Sequence, residues 1–519
     1  MRALGIHSLT HDCGTAMCVD GKIKYAVEEE RFSRIKHHPG IEVEGKPPKK
    51  SLEWTLEQEG IELNDVDKIV HVGWKGDSFM KLDIIRQRFR DYAKSLDPEL
   101  KKTIFVDHHL AHAASAYYAS GFKDALVLSI DGAGDWQSTS LYVANGEKME
   151  KVDEYFLDQS LGFMYSRAAS ALGLGGFGTG EGKLIALASY GSPINDFPEF
   201  LTHLEGRYKL DPNYKKHFKS FKNDGVSFSQ EHKDFAATIQ YNLEDSVKYI
   251  VKNMHRKFGG SNLVIGGGVG LNCRMNGKLA ELPWVDNMFV QPAANDAGLC
   301  IGAAYLGAIE LGDKPEEFDN AYLGPGISEN EVEKYVRDNG LRAEKVENIA
   351  ELAADLIYDG ESLAWMQGKL EFGPRALGHR SLLGDPRNLE VRDKLNAIKQ
   401  RENWRPIAPS VLQDSHYFNA SHGSEYMTHA IDMYNSAKQE IPGAVHVDQT
   451  ARVQIVSDKS DRYHQLISAF NNKTNVPAVL NTSLNSRGEP LCNSISEGVK
   501  FFYTTPTENL IIDKWWFKK

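Results

Sequence analysis

Short apolar runs separated by polar turns open the chain and then return. Residues 3–8 form a strand-like run, followed by the polar turn Thr10-His11-Asp12-Cys13-Gly14. Thr15 to Val19 and Lys22 to Glu28 are two further strand-like runs, joined by Asp20-Gly21, a dipeptide suited to a two-residue hairpin. The same order recurs from residue 125. Ala125 to Ile130 reads as a strand, Asp131-Gly132-Ala133-Gly134-Asp135 as a glycine-rich polar turn, Ser138 to Ala144 as a strand, Asn145-Gly146 as a hairpin and Lys148 to Phe156 as a strand. Two copies of strand, polar turn, strand, tight turn, strand amount to an internal duplication. In each copy the first turn carries polar side chains where a phosphate or a metal fits.

Between and after the copies the pattern predicts helices: Ser51 to Glu59, Phe79 to Ser95 with a basic face, Leu161 to Gly173, Phe235 to Phe258 and Leu299 to Leu311. Lys68 to Val72 and Asn262 to Ile265 read as strands, and residues 195–233 as a polar insertion able to shape an acceptor pocket. The mixed-charge stretch Glu28 to His38 fits a solvated face as well as a functional one. A strand over Thr103 to Val106 leads into Asp107, a helix cap, and then His108-His109-Leu110-Ala111-His112. His108 and His112 are four apart and share one helix face, an arrangement able to bind a divalent metal or simply to begin a polar helix. His109 points roughly 100° away. The run Gly173 to Lys183 is glycine-rich but lacks the ending of a phosphate-binding P-loop. Gly266-Gly267-Gly268 follows a buried strand, where bare backbone could meet a nucleotide or serve packing. Asn295 and Asp296 stand at the start of the Leu299 helix, placed to cap it or to ligate a metal.

Composition adds limits. The chain has 519 residues, enough for more than one domain, with 41% apolar and 25% charged residues. A net charge of −11 speaks against a general duplex-binding surface. No apolar run approaches the roughly 20 residues of a membrane span. The N-terminus shows no signal-peptide pattern, and five cysteines without a C-x-x-C pair point to a reduced, cytoplasmic protein. Composition shifts over 312–345, which sets the expected domains at 1–345 and 346–519. The second part concentrates basic residues in rigid glycine- and proline-rich turns: Arg375, Arg380, Arg387, Lys399, Arg405 and Arg452. Fork geometry held by stiff backbone suits a phosphorylated small molecule.

Ordered along the chain, these motifs resemble the O-carbamoyltransferases of antibiotic and nodulation-factor biosynthesis. The matching residues are His11-Asp12, Val27 to His37, Asp107 to His112, Ser129-Ile130-Asp131-Gly132, Gly266 to Asn272 and Glu371 to Ser381. The resemblance implies an α/β protein: a duplicated actin-like ATPase domain, then a C-terminal α/β domain similar to YrdC-like carbamoyl-adenylate-forming domains. It implies an ATP-dependent O-carbamoyltransferase that makes carbamoyl adenylate from carbamoyl phosphate and ATP, with Mg²⁺, and passes the carbamoyl group to a hydroxyl acceptor. The acceptor is a natural product or sugar, with a hydroxymethylated nucleobase in nucleic acid as the alternative; a homodimer is left open. The resemblance further implies His108, His112, Asp131 and Asp296 as metal ligands, with iron the expected ion and manganese or zinc the alternatives. His11 and Lys36 fall at the transfer site, with His11 as candidate base. Gly267, Gly268, Asn272 and Asn295 fall at a nucleotide, and Arg375, Arg380, Lys399, Arg405, Arg452, Asn481 and Ser483 at carbamoyl phosphate and ATP. The stretch Lys399 to Arg405 is less basic than the family pattern.

Overall fold

The computed structural model describes residues 1–73 and 83–519. The helix expected from Phe79 begins outside the described residues, and the part described runs over Asp83–Leu96. The chain forms two compact units, residues 1–33 with 37–320 and residues 34–36 with 321–519.

In the first unit β1 (Arg2–His7), β2 (Gly14–Val19) and β3 (Lys22–Glu28) form an antiparallel meander. Asp20 and Gly21 both take positive φ, 51° and 87°, the backbone that a tight hairpin with right-handed twist requires. β4 (Lys68–Val72) runs parallel to β1, and β5 (Thr103–Val106) parallel to β4. The second copy repeats the plan. β6 (Asp124–Gly134), β7 (Gln137–Asn145) and β8 (Lys148–Phe156) form the meander. β9 (Leu201–Leu204) and β10 (Arg207–Leu210) make a separate hairpin within the polar insertion. β11 (Asn262–Gly266) then pairs parallel with β6, and β12 (Asn287–Val290) parallel with β11. The strand orders are β3-β2-β1-β4-β5 and β12-β11-β6-β7-β8. The unit thus holds the internal duplication that the matched turns predicted.

Three helices position the candidate chemistry: α1 (His108–Tyr117), α2 (Leu161–Ala171) and α3 (Leu299–Leu311). α3 is apolar around most of its circumference, the signature of a helix buried on all sides. It lies against β1 and α1 at two glycines. A Cβ on Gly302 would meet the Ala111 carbonyl oxygen at 1.8 Å, and one on Gly5 the Cys300 carbonyl oxygen at 1.9 Å. Neither obstacle is a flexible side chain, so the backbones must part if either glycine grows. Gly302→Ala is expected to lower stability by about 3 kcal/mol or more. The urea midpoint of the unfolding transition reports this, and an unchanged midpoint would show that the helices have room to spare.

The second unit is α/β, built on a mixed eight-stranded sheet whose buried centre includes Trp365, Leu382, Val479 and Ile511. The units divide at 320/321, ahead of the expected boundary near 345. Main-chain bonds explain the difference: Phe372 N–H donates to Ala321 O, Gly324 N–H to Leu370 O and Ile327 N–H to Gly368 O. Val332 and Val336 are buried in the core of the second unit as well. The composition change at 312–345 therefore falls inside that unit's N-terminal segment. All five cysteines are buried and free of disulfides. Among the described residues no helix is long and apolar enough to cross a membrane.

Candidate functional site

In the first unit the site is built from four places in the chain. Asp107 caps α1, its Oδ1 accepting the Leu110 N–H at 2.8 Å, and Asp135 accepts the His108 N–H at 2.9 Å. The two imidazoles four residues apart come together, with Nε2 atoms 3.1 Å apart. His109 turns away, and its Nδ1 bonds Ser129 Oγ at 2.8 Å. Asp131, at the β6 turn, brings Oδ2 to 3.4 Å from His108 Nε2 and 3.8 Å from His112 Nε2. Asp296, before α3, places Oδ1 at 3.6 Å from both nitrogens. One donor atom from each residue lies within 4.8 Å of every other. A tetrahedral ion with bonds of about 2.0–2.1 Å keeps its donors roughly 3.3 Å apart. The donor type and spacing therefore fit a divalent metal, which His108, His112, Asp131 and Asp296 would hold.

The charges agree with that reading. Burial works against the charged form of His108, but Asp296 and Asp131 outweigh it and raise the imidazole to about 9. Burial likewise opposes ionised Asp131 and Asp296, and the neighbouring histidines hold both well below the usual carboxylate range. A proton on His108 therefore competes with a metal. Apparent metal affinity is expected to rise steadily from pH 6 to pH 9, measured by chelator competition; a flat profile would contradict the ligand set.

Beside these ligands His11 Nδ1 lies 3.0 Å from Asp12 Oδ2. Asp12 adopts a positive φ of 54° and joins three groups: His11, His37 Nδ1 at 2.7 Å, and Asn295 Nδ2 at 3.0 Å. Burial disfavours the His11 cation, but Asp296 and Asp12 outweigh it and push the imidazole up to about 10. Asp12, Glu30 and His37 form a second close group. There, however, both Glu30 oxygens are already bonded, to the Arg31 guanidinium and the His37 amide.

Several residues expected at a nucleotide are occupied otherwise. The Gly268 N–H donates to Asp131 Oδ1 at 2.8 Å, and a Cβ there would stand 2.7 Å from that oxygen. Gly267 has a φ of 89°, and its Cβ would strike the Ile130 carbonyl at 2.3 Å. The triple glycine thus brings backbone against Asp131 and His112. Asn272 caps the following helix and exchanges two bonds with the Gln240 amide, so both ends of its side chain are used. Asn295 holds Asp12. Lys36, expected at the transfer site, belongs to the second unit, where its charge helps depress Lys399.

In that second unit Lys399 is buried, with Nζ 3.2 Å from Ser483 Oγ and 2.6 Å from the Asn485 carbonyl. Burial, then Arg401, Lys36 and Arg405, push its ammonium well down. Burial and then Arg405 and Arg452 lower Arg401 to about 9. Burial also lowers Arg405, with Arg452 and Arg487 adding to it against the pull of Glu402. These cations crowd one another, a cost that a bound polyanion relieves. Arg401 escaped the sequence reading because Gln400 and Glu402 dilute its stretch. Arg380 is turned elsewhere: it is buried, with Nη1 donating to the Gln367 carbonyl at 2.5 Å and Nη2 to the Gly368 carbonyl at 3.2 Å. It clasps the 368–379 loop, inside which buried Glu371 accepts the amides of Leu377, His379 and Arg380. Arg375 is half-buried on that loop. Asn481 is buried, donating to Ser410 Oγ at 3.0 Å and Gln454 Oε1 at 3.2 Å.

The description "Carbamoyltransferase N-terminus" matches residues 2–98 and 92–305, and "Carbamoyltransferase C-terminus" matches 354–519. The chain belongs to the carbamoyltransferase family. It is 34% identical to nodulation protein NolNO of Sinorhizobium fredii, over 99% of this chain and 80% of that one. It is 33% identical to 3'-hydroxymethylcephem-O-carbamoyltransferase of Amycolatopsis lactamdurans, over 65% of each. Among solved structures it is similar to HypF of T. kodakarensis, at 14% identity and a TM-score of 0.42, over 60% of this chain and 48% of that one. In this carbamoyltransferase the first family match covers the His/Asp cluster, and the second covers Lys399, Arg401, Arg405 and Arg452.

Proposed function

We propose that this carbamoyltransferase is ATP-dependent and runs two half-reactions, one per unit. In the second unit, carbamoyl phosphate and water give carbamate and phosphate. Carbamate then attacks the α-phosphorus of Mg²⁺-bound ATP, forming carbamoyl adenylate and releasing pyrophosphate. In the first unit an acceptor hydroxyl takes the carbamoyl group, AMP leaves and the hydroxyl proton is given up. The observation that carries the reading is the donor set of His108, His112, Asp131 and Asp296, four nitrogens and oxygens at the spacing of one divalent ion.

Lys399, Arg401, Arg405 and Arg452 supply the positive charge that carbamoyl phosphate and the ATP phosphates need. Ser483 and Asn485 fix the Lys399 ammonium. In the first unit His108, His112, Asp131 and Asp296 would hold a divalent ion, iron by family resemblance, which would supply Lewis acidity toward the transferred group. Asp12 holds His11 through Nδ1 and leaves Nε2 to work on the acceptor hydroxyl. With the carboxylate charges unopposed His11 is a proton donor. With a cation held by Asp131 and Asp296 their pull would be offset, and His11 would then be able to accept the acceptor's proton.

The acceptor is proposed to be a hydroxylated natural product or sugar. A polynucleotide carrying hydroxymethyl groups is the second reading, favoured by Lys215, Lys216, Lys219 and Lys222, all exposed on the insertion. Activity on a polynucleotide that falls steeply with salt would select it. The governing experiment omits the acceptor: ATP, carbamoyl phosphate, Mg²⁺ and Fe²⁺ are incubated with the protein and the nucleotides resolved by mass. AMP and pyrophosphate that depend on carbamoyl phosphate support the two-step reading; ADP alone, or no turnover, overturns it.

A further inference from the structure

The carboxylates of the candidate metal centre each face it with one oxygen, and the other oxygen of each is already taken. For Asp131 the taken oxygen is Oδ1, which accepts the Gly268 amide. For Asp296 it is Oδ2, which accepts the Thr10 hydroxyl proton at 2.8 Å. Thr10 has a single proton, and it is spent on Asp296. Its second neighbour, His7 Nε2 at 3.3 Å, must therefore donate to Thr10 Oγ1. His7 Nε2 also lies 3.0 Å from the His11 carbonyl oxygen, which only accepts. Both contacts demand a proton on Nε2 and fix one tautomer of a fully buried ring. The result is a directed chain, His7 to Thr10 to Asp296, with a branch from His7 to the backbone of the His11 turn.

Resting on the metal-centre reading above, we infer that Thr10, backed by His7, is a positioning residue that limits Asp296 to one metal-facing oxygen and ties this ligand to the turn bearing His11. The inference has a physical consequence for the ligand set. Were both carboxylates free to rotate, each could chelate with two oxygens and fill the coordination sphere. With Oδ2 of Asp296 and Oδ1 of Asp131 engaged, the protein offers four donors, and any further position belongs to substrate or water. Thr10 also spares Asp296 the loss of rotamer freedom on metal capture, because the carboxylate is oriented beforehand.

The test reads metal binding on the full-length protein, without catalysis. Mn²⁺ and Zn²⁺ dissociation constants are measured by chelator competition for the parent, Thr10→Val, Thr10→Ser and His112→Ala. Valine keeps the shape of threonine and removes the hydroxyl. Thr10→Val is expected to bind 10- to 100-fold more weakly. Thr10→Ser, which restores the hydroxyl without the methyl, is expected to return to within about threefold of the parent. A role in packing alone predicts the reverse ranking, because serine loses the methyl and valine keeps it. Parent-like affinity in Thr10→Val, with binding lost in His112→Ala, overturns the positioning role and leaves the metal centre standing. Parent-like affinity in His112→Ala overturns the metal centre itself, and the positioning role with it.

Discussion

His112→Ala is expected to cost the protein its metal and, with it, carbamoyl transfer, by on the order of 10³-fold. His112 is fully buried at the inner wall of the centre, within 3.8 Å of donor atoms from the other three ligands. Alanine removes one of four donors and leaves Asp131 and Asp296 facing each other across a single imidazole. The acceptor-free half-reaction is expected to survive, because the residues assigned to it lie in the second unit. The two rates are measured separately: AMP formation without acceptor, and carbamoyl ester formation with it. Full-rate transfer by His112→Ala would refute the assignment of the metal ligands, and loss of both activities would place the metal in adenylate formation instead.

Arg405→Ala is expected to reduce carbamoyl-phosphate-dependent AMP formation by roughly 10- to 100-fold, the worth of one or two charge-assisted hydrogen bonds to a phosphate. Transfer falls in step, since its carbamoyl donor is no longer made. Fold stability moves the other way or not at all. Arg405 is half-exposed, it lowers Arg401, and its ion pair to Glu402 Oε2 is a loose 3.9 Å. Removing it relieves repulsion among the guanidinium groups. A variant that is more stable yet inactive marks a residue kept for binding, whereas one that is active at the parent rate sinks the role given to Arg405.

Much of this arrangement is legible in the sequence because its signals are local. The duplicated meanders rest on alternation and on two dipeptides with the backbone freedom for tight turns. His108 and His112 rest on a four-residue spacing, and Asp107 on its place before a helix. Asp296 is ambiguous locally, a cap or a ligand, and the fold sets its Oδ1 3.6 Å from the Nε2 atoms of His108 and His112. What sequence could not supply is how polar groups are spent. The bonds of Asn272 to Gln240 and of Arg380 to backbone carbonyls are not legible from their motifs. Nor is the bond from the Gly268 amide to Asp131. Lys36 sits with Arg34 and Ile35 in a motif whose flanks lie in the first unit, yet these three belong to the second. Asp12, Thr10 and His37 form no spacing pattern, because their partners come from distant segments.

Thr10 and Asp296 are 286 positions apart, and Gly268 and Asp131 are 137 apart. During synthesis the chain therefore exposes two histidines and Asp131 long before the fourth ligand exists. The incomplete set lacks both the last donor and the amide that steadies Asp131, so it grips a passing ion weakly. Tight capture waits until the second meander has folded and its later strands have joined it. Which metal such a site would take is decided only once residue 296 has joined the other three ligands, by the ions then at hand.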